Sequence, residues 1–437
     1  MAKLTMRTVD AAPVKARDYP VRSRARGRTR FVTLWHHGPV APDRARRLAL
    51  GVAAWVAATA IALVAAPGGA ACVPPYSDPE VGTLEGSPLD DLPSHISLVV
   101  PFGQRPDWSG DGRMLVFLDR ANDGNVWTVD VATGATRNLT GGFTNHQGFS
   151  RAHFLRNGDV LLCGPTSGPR PTPERPEDGR FNGVLWVLHA PFRTPPQPLG
   201  MGCWEGLAVS KRTGEIAWTR SHIDYTDPDL FGQVVFGISE IWTGELRDRV
   251  PARRARAPRR ARKGHHRAPL ADLVEVSKVI DRAAVAPLAV LEAQDFRPAS
   301  AELIFTNYVN LPGGGEVMGV DRDTGDVRNY SQSPCYEEAE GIFPDGRSIL
   351  VERDLESTLE PEAPDVWRLS LDGLARYERL THFNRHRGFY ASNPVVHPSG
   401  RKFAFQLSVQ GGTEGDGAGI LVFDLARSAA GREPLGR

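Results

Sequence analysis

The segment at residues 105–140 constrains the fold more than any other part of the sequence. Asp111-Gly112 and Thr133-Gly134 mark tight turns, because glycine tolerates a positive φ and aspartate hydrogen bonds to its own backbone. The residues between these turns are mainly Val, Leu, Phe and Trp, which favour strands, and they follow no helical period. The segment therefore predicts four antiparallel strands joined by short turns.

The same pattern returns along the rest of the chain. A single four-stranded sheet cannot bury both of its faces, so repeats of it are expected to pack on one another. The turn glycines of the clear copies are Gly112, Gly158, Gly214, Gly346 and Gly400, and a degenerate copy without glycine spans Phe296–Glu302. An apolar strand follows each turn. These six units predict an all-β chain, a six-bladed β-propeller of four-stranded antiparallel blades.

The best copy also has a recognisable motif. Arg105-Pro106-Asp107-Trp108-Ser109, then Asp111-Gly112-Arg113, then Val126-Trp127-Thr128-Val129-Asp130 before Thr133-Gly134, resembles the TolB-like, WD40-like (PD40) propeller repeat. The resemblance covers residues 99–437, with the best copies at Gly112, Gly346 and Gly400. It implies a propeller fold. It does not imply one function, because such propellers serve as scaffolds, binding modules and enzymes.

The N-terminal part of the chain has a different composition. Residues 1–47 are rich in arginine and have no apolar period, which predicts a disordered basic region. Residues 48–71 contain an uncharged apolar run followed by small residues, the layout of a signal peptide or membrane anchor. Residues 72–95 are expected to form a linker, and residues 96–437 the propeller. The alternative for the apolar run is a buried helix of a small N-terminal domain.

Three forms of export remain open. Arg46-Arg47 resembles a twin-arginine signal, and the residues before Cys72 resemble a lipoprotein cleavage box. The segment is either cleaved, or lipidated at Cys72, or kept as an anchor through residues 48–66. We expect an exported protein, which is periplasmic, extracellular or membrane-anchored and facing outward.

Two further segments carry predictions about the propeller. Residues 96–100 read as a strand that joins the C-terminal unit and closes the ring, because propellers protect their edges in this way. Residues 248–270 form a basic insertion between two strands. The insertion is interpreted as solvated and disordered, with a tether to an anionic polymer or a membrane as the alternative.

The cysteines beyond Cys72 allow few arrangements. Cys163 lies in a predicted strand and is interpreted as a small buried apolar residue. Cys203 and Cys335 each precede a predicted innermost strand and could face each other across the channel. The sequence alone does not decide whether they pair.

The starts of the innermost strands predict a polar ring around one mouth of the channel, because equivalent positions of a propeller surround its axis. Arginine forks bind carboxylates and phosphates, and carboxylates pair with them or with cations. The ring is expected to hold a ligand, with a self-satisfied set of salt bridges as the alternative. Its predicted members are Arg105, Arg151, Arg297, Glu205, Asp295, Glu338 and Asn393.

The sequence supports three functions. The first is a binding or scaffold module that takes a protein partner or an anionic small molecule or saccharide. The second is a propeller enzyme, a lyase or hydrolase acting on an anionic saccharide, with His146 or His153 as the base and Arg151 or Arg297 neutralising the substrate carboxylate. The third is a purely structural propeller.

Composition limits the classes of binding partner that are expected. The net charge of +1 over 437 residues argues against a nucleic-acid partner. Two histidines without a third ligand of clear spacing are a weak metal signal, so we expect no metal and no cofactor. We expect a monomer.

Overall fold

The structure of the protein is a computed structural model. It describes residues 78–120, 123–166, 183–227, 233–248, 271–286, 289–310, 314–333, 335–355, 363–410 and 417–428. The predicted disordered region 1–47, the apolar segment 48–71, the first residues of the 72–95 linker and the basic insertion after residue 248 lie outside these ranges. No helix in the described ranges has the length and apolarity to cross a membrane.

Strands form almost all of the regular structure in these ranges. Three short 3-10 helices accompany them, at Pro88–Asp91, Arg282–Ala284 and Phe383–Arg385. The first twelve strands are β1 (Ile96–Val100), β2 (Gln104–Trp108), β3 (Met114–Leu118), β4 (Val126–Asp130), β5 (Thr136–Asn138), β6 (Arg151–Phe154), β7 (Val160–Pro165), β8 (Gly183–Leu188), β9 (Gln197–Gly202), β10 (Leu207–Val209), β11 (Glu215–Asp227) and β12 (Gln233–Asp248).

The remaining strands continue the same pattern of antiparallel neighbours. They are β13 (Ala271–Asp281), β14 (Val290–Phe296), β15 (Glu302–Asn310), β16 (Gly314–Asp321), β17 (Val327–Asn329), β18 (Tyr336–Ile342), β19 (Ser348–Asp354), β20 (Asp365–Ser370), β21 (Tyr377–Arg379), β22 (Phe389–Val396), β23 (Lys402–Val409) and β24 (Gly419–Asp424).

The strands assemble into an all-β propeller, but the division into sheets differs from the prediction. Four sheets have four strands each, in the orders β2-β3-β4-β5, β6-β7-β8-β9, β10-β11-β12-β13 and β1-β24-β23-β22. The strands β14 to β21 form one eight-stranded sheet. The prediction of six separate sheets is therefore wrong.

A single parallel contact causes this difference. Gly315 of β16 pairs with Tyr336 of β18, and this pair joins two antiparallel four-stranded meanders. A Cβ atom at position 315 would lie 3.0 Å from the carbonyl oxygen of Glu337, a tight contact that favours glycine at this position. This one close approach connects two units that the sequence predicts as separate.

The turn glycines have the conformation that the repeat requires. Gly112, Gly158, Gly214, Gly346 and Gly400 all have positive φ values, between 68° and 88°. In the degenerate copy, Ala299 adopts a φ of 61° instead. The predicted turns are thus confirmed, and the degenerate copy forms its turn without glycine.

The core lies between the faces of neighbouring sheets. Phe149, Leu162 and Trp186 pack against Val116 of the preceding sheet, and all four are almost fully buried. Polar ties accompany this packing: Thr219 Oγ1 accepts a hydrogen bond from the Ala293 amide at 2.9 Å. Each sheet therefore depends on its neighbour for burial of both faces.

The ring closes through a strand far away in sequence. Ile96 lies opposite Phe423, and β1 completes the C-terminal sheet as its edge strand. This confirms the closing role predicted for residues 96–100. The side chain of Trp108 then ties β2 to β22 by donating to the Val395 carbonyl at 3.1 Å.

The cysteine prediction requires a correction. Cys163 is not a free apolar residue, because its sulphur is bonded to that of Cys203 across 40 residues. Cys203 therefore does not pair with Cys335, which is itself disulfide-bonded. Cys163 lies on β7 and Cys203 directly after β9, and both sulphur atoms lie beside Gly183 of β8, the strand that pairs with β7 and β9. A three-dimensional proximity of this kind leaves no pattern in cysteine spacing.

Candidate functional site

A cavity of about 440 Å³ lies where the first strands of all six meanders meet. Residues of β2, β6, β10, β14, β18 and β22 line it, and it extends to the turns that follow these strands. Six of the predicted site residues lie in its wall: Arg105, Arg151, His153, Asp295, Arg297 and Asn393. The convergence of the first strands thus brings these distant residues into one cavity.

Arg105 is held rigidly from several sides. Its φ of 51° lies in the left-handed region, and its amide donates to the Gln406 side chain at 2.8 Å. Its guanidinium contacts a Glu205 carboxylate oxygen at 2.5 Å and donates to the Ser150 carbonyl at 2.7 Å. Glu205 is therefore not in the cavity wall but behind Arg105, where it fixes and partly neutralises the guanidinium.

Arg151 lies at the centre of a second network. It donates to the Asn393 side-chain oxygen at 2.7 Å and to a Glu292 carboxylate oxygen at 2.9 Å. Burial alone would lower the pKa of the guanidinium, but the carboxylates of Glu292 and Glu205 outweigh burial and raise it. Tyr308 donates its hydroxyl to the other Glu292 oxygen at 2.8 Å. Arg151 is therefore a buried, permanently charged link between β6, β14 and β22.

Arg297 does not occupy the position that the sequence predicts. The Arg297 amide bonds to the Glu302 carbonyl just as the Ser109 amide bonds to the Met114 carbonyl, so Arg297 matches Ser109 and not Arg105. Its guanidinium donates to Glu302 at 2.7 Å and to the Leu371 carbonyl at 2.9 Å. Arg297 therefore ties two meanders together near the turn, four residues along from the predicted ring position.

The correct alignment identifies a glutamate that the sequence analysis missed. Because Arg297 is equivalent to Ser109, Glu292 is equivalent to Gln104. Glu205 and Glu338 occupy the same position of the repeat in their own units. The copy of the motif at this point has no turn glycine, and the first proline gives a misleading anchor. Recognising Phe296 as the equivalent of Trp108 is the one sequence signal that finds Glu292.

Three carboxylates form a compact cluster beside this ring. Oxygen atoms of Glu338, Glu340 and Glu352 lie within 4.8 Å of one another. Burial, followed by the neighbouring carboxylates, raises the pKa values of Glu338 and Glu340 well above their usual range. Oxygen donors of this kind could hold a hard divalent cation. Glu352 lies on β19, a second strand, so alignment of the first strands does not identify it.

The two aspartates of the cavity wall differ in their environment. Burial would raise the pKa of Asp107, but Lys211 and His153 outweigh it and hold the pKa at about 2. The Lys211 amino group lies 2.7 Å from one oxygen of Asp107, and the His153 imidazole Nδ1 lies 3.7 Å from the other. Burial raises the pKa of Asp295 to about 7. One aspartate is thus ionised at neutral pH, whereas the other titrates there.

The second predicted histidine lies elsewhere. His146 accepts a hydrogen bond from the Gly148 amide at 3.2 Å, and its ring packs on Phe149 with centroids 4.7 Å apart. It is buried in the connection between β5 and β6 and is not part of the cavity wall. Of the two candidate bases, only His153 therefore faces the cavity.

No protein-family model and no curated protein matches this sequence. Solved structures with a similar fold include a gluconolactonase from Xanthomonas campestris, with 12% identity over 75% of this chain and 88% of that chain and a TM-score of 0.46. A protein from Agrobacterium tumefaciens assigned to TolB gives 12% identity, 74% and 90% coverage and a TM-score of 0.43. An oligogalacturonate lyase from Vibrio parahaemolyticus has 9% identity over 76% of this chain and 93% of that chain, with a TM-score of 0.40.

The sheet arrangement, the closing strand β1 and the repeated turn motif decide the fold class. The chain folds as a β-propeller, and its repeated turn motif resembles the TolB-like repeat. Of the three arginines predicted for the ring, Arg105 and Arg151 line the cavity and are each held by a glutamate, whereas Arg297 lines it nearer the turn.

Proposed function

We propose that this TolB-like propeller is an exported binding module that takes a small anionic, oxygen-rich ligand in its axial cavity. We count the eight-stranded sheet as two blades, which gives six blades around the axis. Export rests on the apolar segment at residues 48–71 and on the small residues that follow it. Mass spectrometry of the mature N-terminus distinguishes the cleaved, the lipidated and the anchored form.

The charge of the cavity wall carries the proposal. By formal charge, six Lys and Arg side chains line the cavity against four Asp and Glu side chains, and glutamates behind the wall neutralise three of the arginines in part. Arg105 and Arg151 are fixed from behind by glutamates, so their orientation needs no adjustment on binding. Lys211 and Arg212 are the more exposed cations, with 32% of the Lys211 side chain accessible. A carboxylate with neighbouring hydroxyl groups matches such a donor-rich wall.

The test compares an anionic sugar with a neutral one. Galacturonate is expected to raise the melting temperature of the protein, and galactose at the same concentration is not, because only galacturonate carries a carboxylate. Arg212→Glu, at the exposed rim, is expected to weaken galacturonate binding on the order of five- to tenfold without unfolding the protein. Isothermal titration calorimetry measures the affinity.

A matched control is available on an outer strand. Arg328 lies on β17, is exposed and is not part of the cavity wall. Arg328→Glu makes the same change in net charge and is expected to leave the affinity unchanged. Equal effects of the two charge reversals, or equal binding of galactose, would contradict the proposal.

One observation favours a second candidate function. His153 faces the cavity beside the ionised Asp107, the arrangement of a general base with an orienting carboxylate. The candidate is an enzyme acting on an anionic saccharide. Release of new reducing ends from polygalacturonate, lost in His153→Ala, would support it, and binding of galacturonate without any turnover would favour the module.

A further inference from the structure

Asp107 and Asp295 are equivalent residues of two meanders. Each lies two positions before the residue whose amide closes the turn, Ser109 in one case and Arg297 in the other. Each also accepts a backbone amide from the next meander: Asp107 from Phe154 at 2.7 Å and Asp295 from Ile342 at 3.0 Å. The two carboxyl groups therefore have the same structural task, and both face the cavity.

Their partners inside the cavity differ. Lys211 donates to Asp107 at 2.7 Å and to the Phe154 carbonyl at 2.6 Å, which commits this amino group to the β2 and β6 side of the cavity. The second hydrogen bond of Asp295 comes from the Phe296 amide at 2.8 Å. One aspartate thus has a lysine as a direct counter-ion, and the other has backbone amides.

The charged groups around Asp295 do not replace that counter-ion. The guanidinium of Arg297, the nearest arginine in sequence, donates its hydrogen bonds to Glu302, Tyr330 and backbone carbonyls. Lys211, after β10, lowers the pKa of Asp295, whereas Asp107 on β2 raises it, and burial is the largest cause. Glu340 on β18 is a further carboxyl group in the same wall.

We propose that Asp295 is the proton-linked specificity residue of the axial cavity. In its acid form it donates a hydrogen bond to the carboxylate of the ligand, and in its ionised form it repels that carboxylate. This proposal rests on the proposed function. It adds that the affinity of the cavity for a carboxylate ligand depends on pH. A protonated carboxyl group has one donor, whereas an ionised one is an acceptor only.

Proton uptake follows from this assignment. Above the pKa of Asp295, which is about 7, the free protein is mostly ionised there, and binding of a carboxylate requires one proton from solvent. The affinity for galacturonate is therefore expected to be constant below about pH 6 and to fall towards tenfold per pH unit well above pH 7. No covalent step is involved.

The experiment compares neutral and titratable side chains at position 295. Calorimetric titration of galacturonate between pH 5.5 and pH 8.5 is expected to show the fall in affinity for the wild type and a constant affinity, within about twofold, for Asp295→Asn. The asparagine amide donates at every pH. His153→Gln and Glu340→Gln, which each remove another titratable group of the cavity wall, are expected to keep the fall.

Each outcome has one meaning. A fall in affinity that persists in Asp295→Asn, or that disappears in His153→Gln, overturns the role of Asp295 while leaving the anion-binding function intact. Absence of galacturonate binding at every pH overturns both. Thermal unfolding checks that Asp295→Asn is folded, and Asp295→Ser, also neutral and a donor, provides the same measurement if it is not.

Discussion

Arg151→Met is expected to lower the free energy of unfolding by about 3–5 kcal/mol at pH 8, the usual cost of removing one partner from a buried ion pair. Arg151 bonds to Glu292 and Asn393 and has Glu205, Glu338 and Glu340 around it. Methionine fills a similar volume, so the loss reflects charge and not a cavity. Urea unfolding followed by tryptophan fluorescence measures it.

The effect of Arg151→Met is expected to depend on pH. The pKa values of Glu338 and Glu340 are already raised, and removal of the neighbouring cation raises them further. A raised carboxyl pKa means that the folded state binds protons that the unfolded state releases, so stability falls as pH rises above the unfolded pKa of about 4. The variant is therefore expected to recover part of its stability at pH 5.

Arg328→Met, on an outer strand, is the control and is expected to change the free energy of unfolding by less than about 0.5 kcal/mol. A loss below 1 kcal/mol at pH 8 would show that Arg151 is not the counter-ion of this cluster.

Replacing both Cys163 and Cys203 by alanine is expected to lower the free energy of unfolding by about 4 kcal/mol. The disulfide closes a loop of 40 residues, and the entropy model of cross-links gives about this value for such a loop. Both residues are buried in a core cluster with Leu161 and Trp218. Guanidinium unfolding of the oxidised wild type and the double variant measures the difference.

The same pair of positions offers a control for the chemistry of the replacement. A Ser/Ser double variant loses the same cross-link but buries two hydroxyl groups, so it is expected to be less stable than Ala/Ala. The loss common to both variants belongs to the disulfide. Alanine variants that unfold at the same guanidinium concentration as the wild type would contradict the pairing.

The sequence predicts the fold of the described residues well where a local signal exists. Turn glycines such as Gly112 and Gly400 need a positive φ, and the strands between them are recognised from composition and length. The closing role of β1 also follows, because a strand that precedes the first unit can protect the edge of the last one. The joining of two meanders at Gly315 has no local signal, because it depends on how closely two strands approach in space.

The candidate site is predicted less completely, and the reason is register. Arg105 and Arg151 lie in copies that keep the turn glycine, and both are correctly placed in the cavity wall. Arg297 follows a degenerate motif, and an error of four residues moves its side chain from the ring to the turn. Glu292 is lost by the same error. Glu352 lies on the second strand of its unit. An alignment of the first strands therefore gives no information about where the Glu352 side chain lies.

The pairing of Ile96 with Phe423 has a consequence for how the protein acquires its structure. A contact that spans more than 300 residues brings a large loss of chain entropy before it forms, so closure belongs to the last and slowest stage of folding. Until then the sheet of β22, β23 and β24 has an open edge that can pair with another molecule. A nascent chain of this protein is therefore most at risk of aggregation after nearly all of its sheets have formed, and a chaperone that covers one edge strand would protect it.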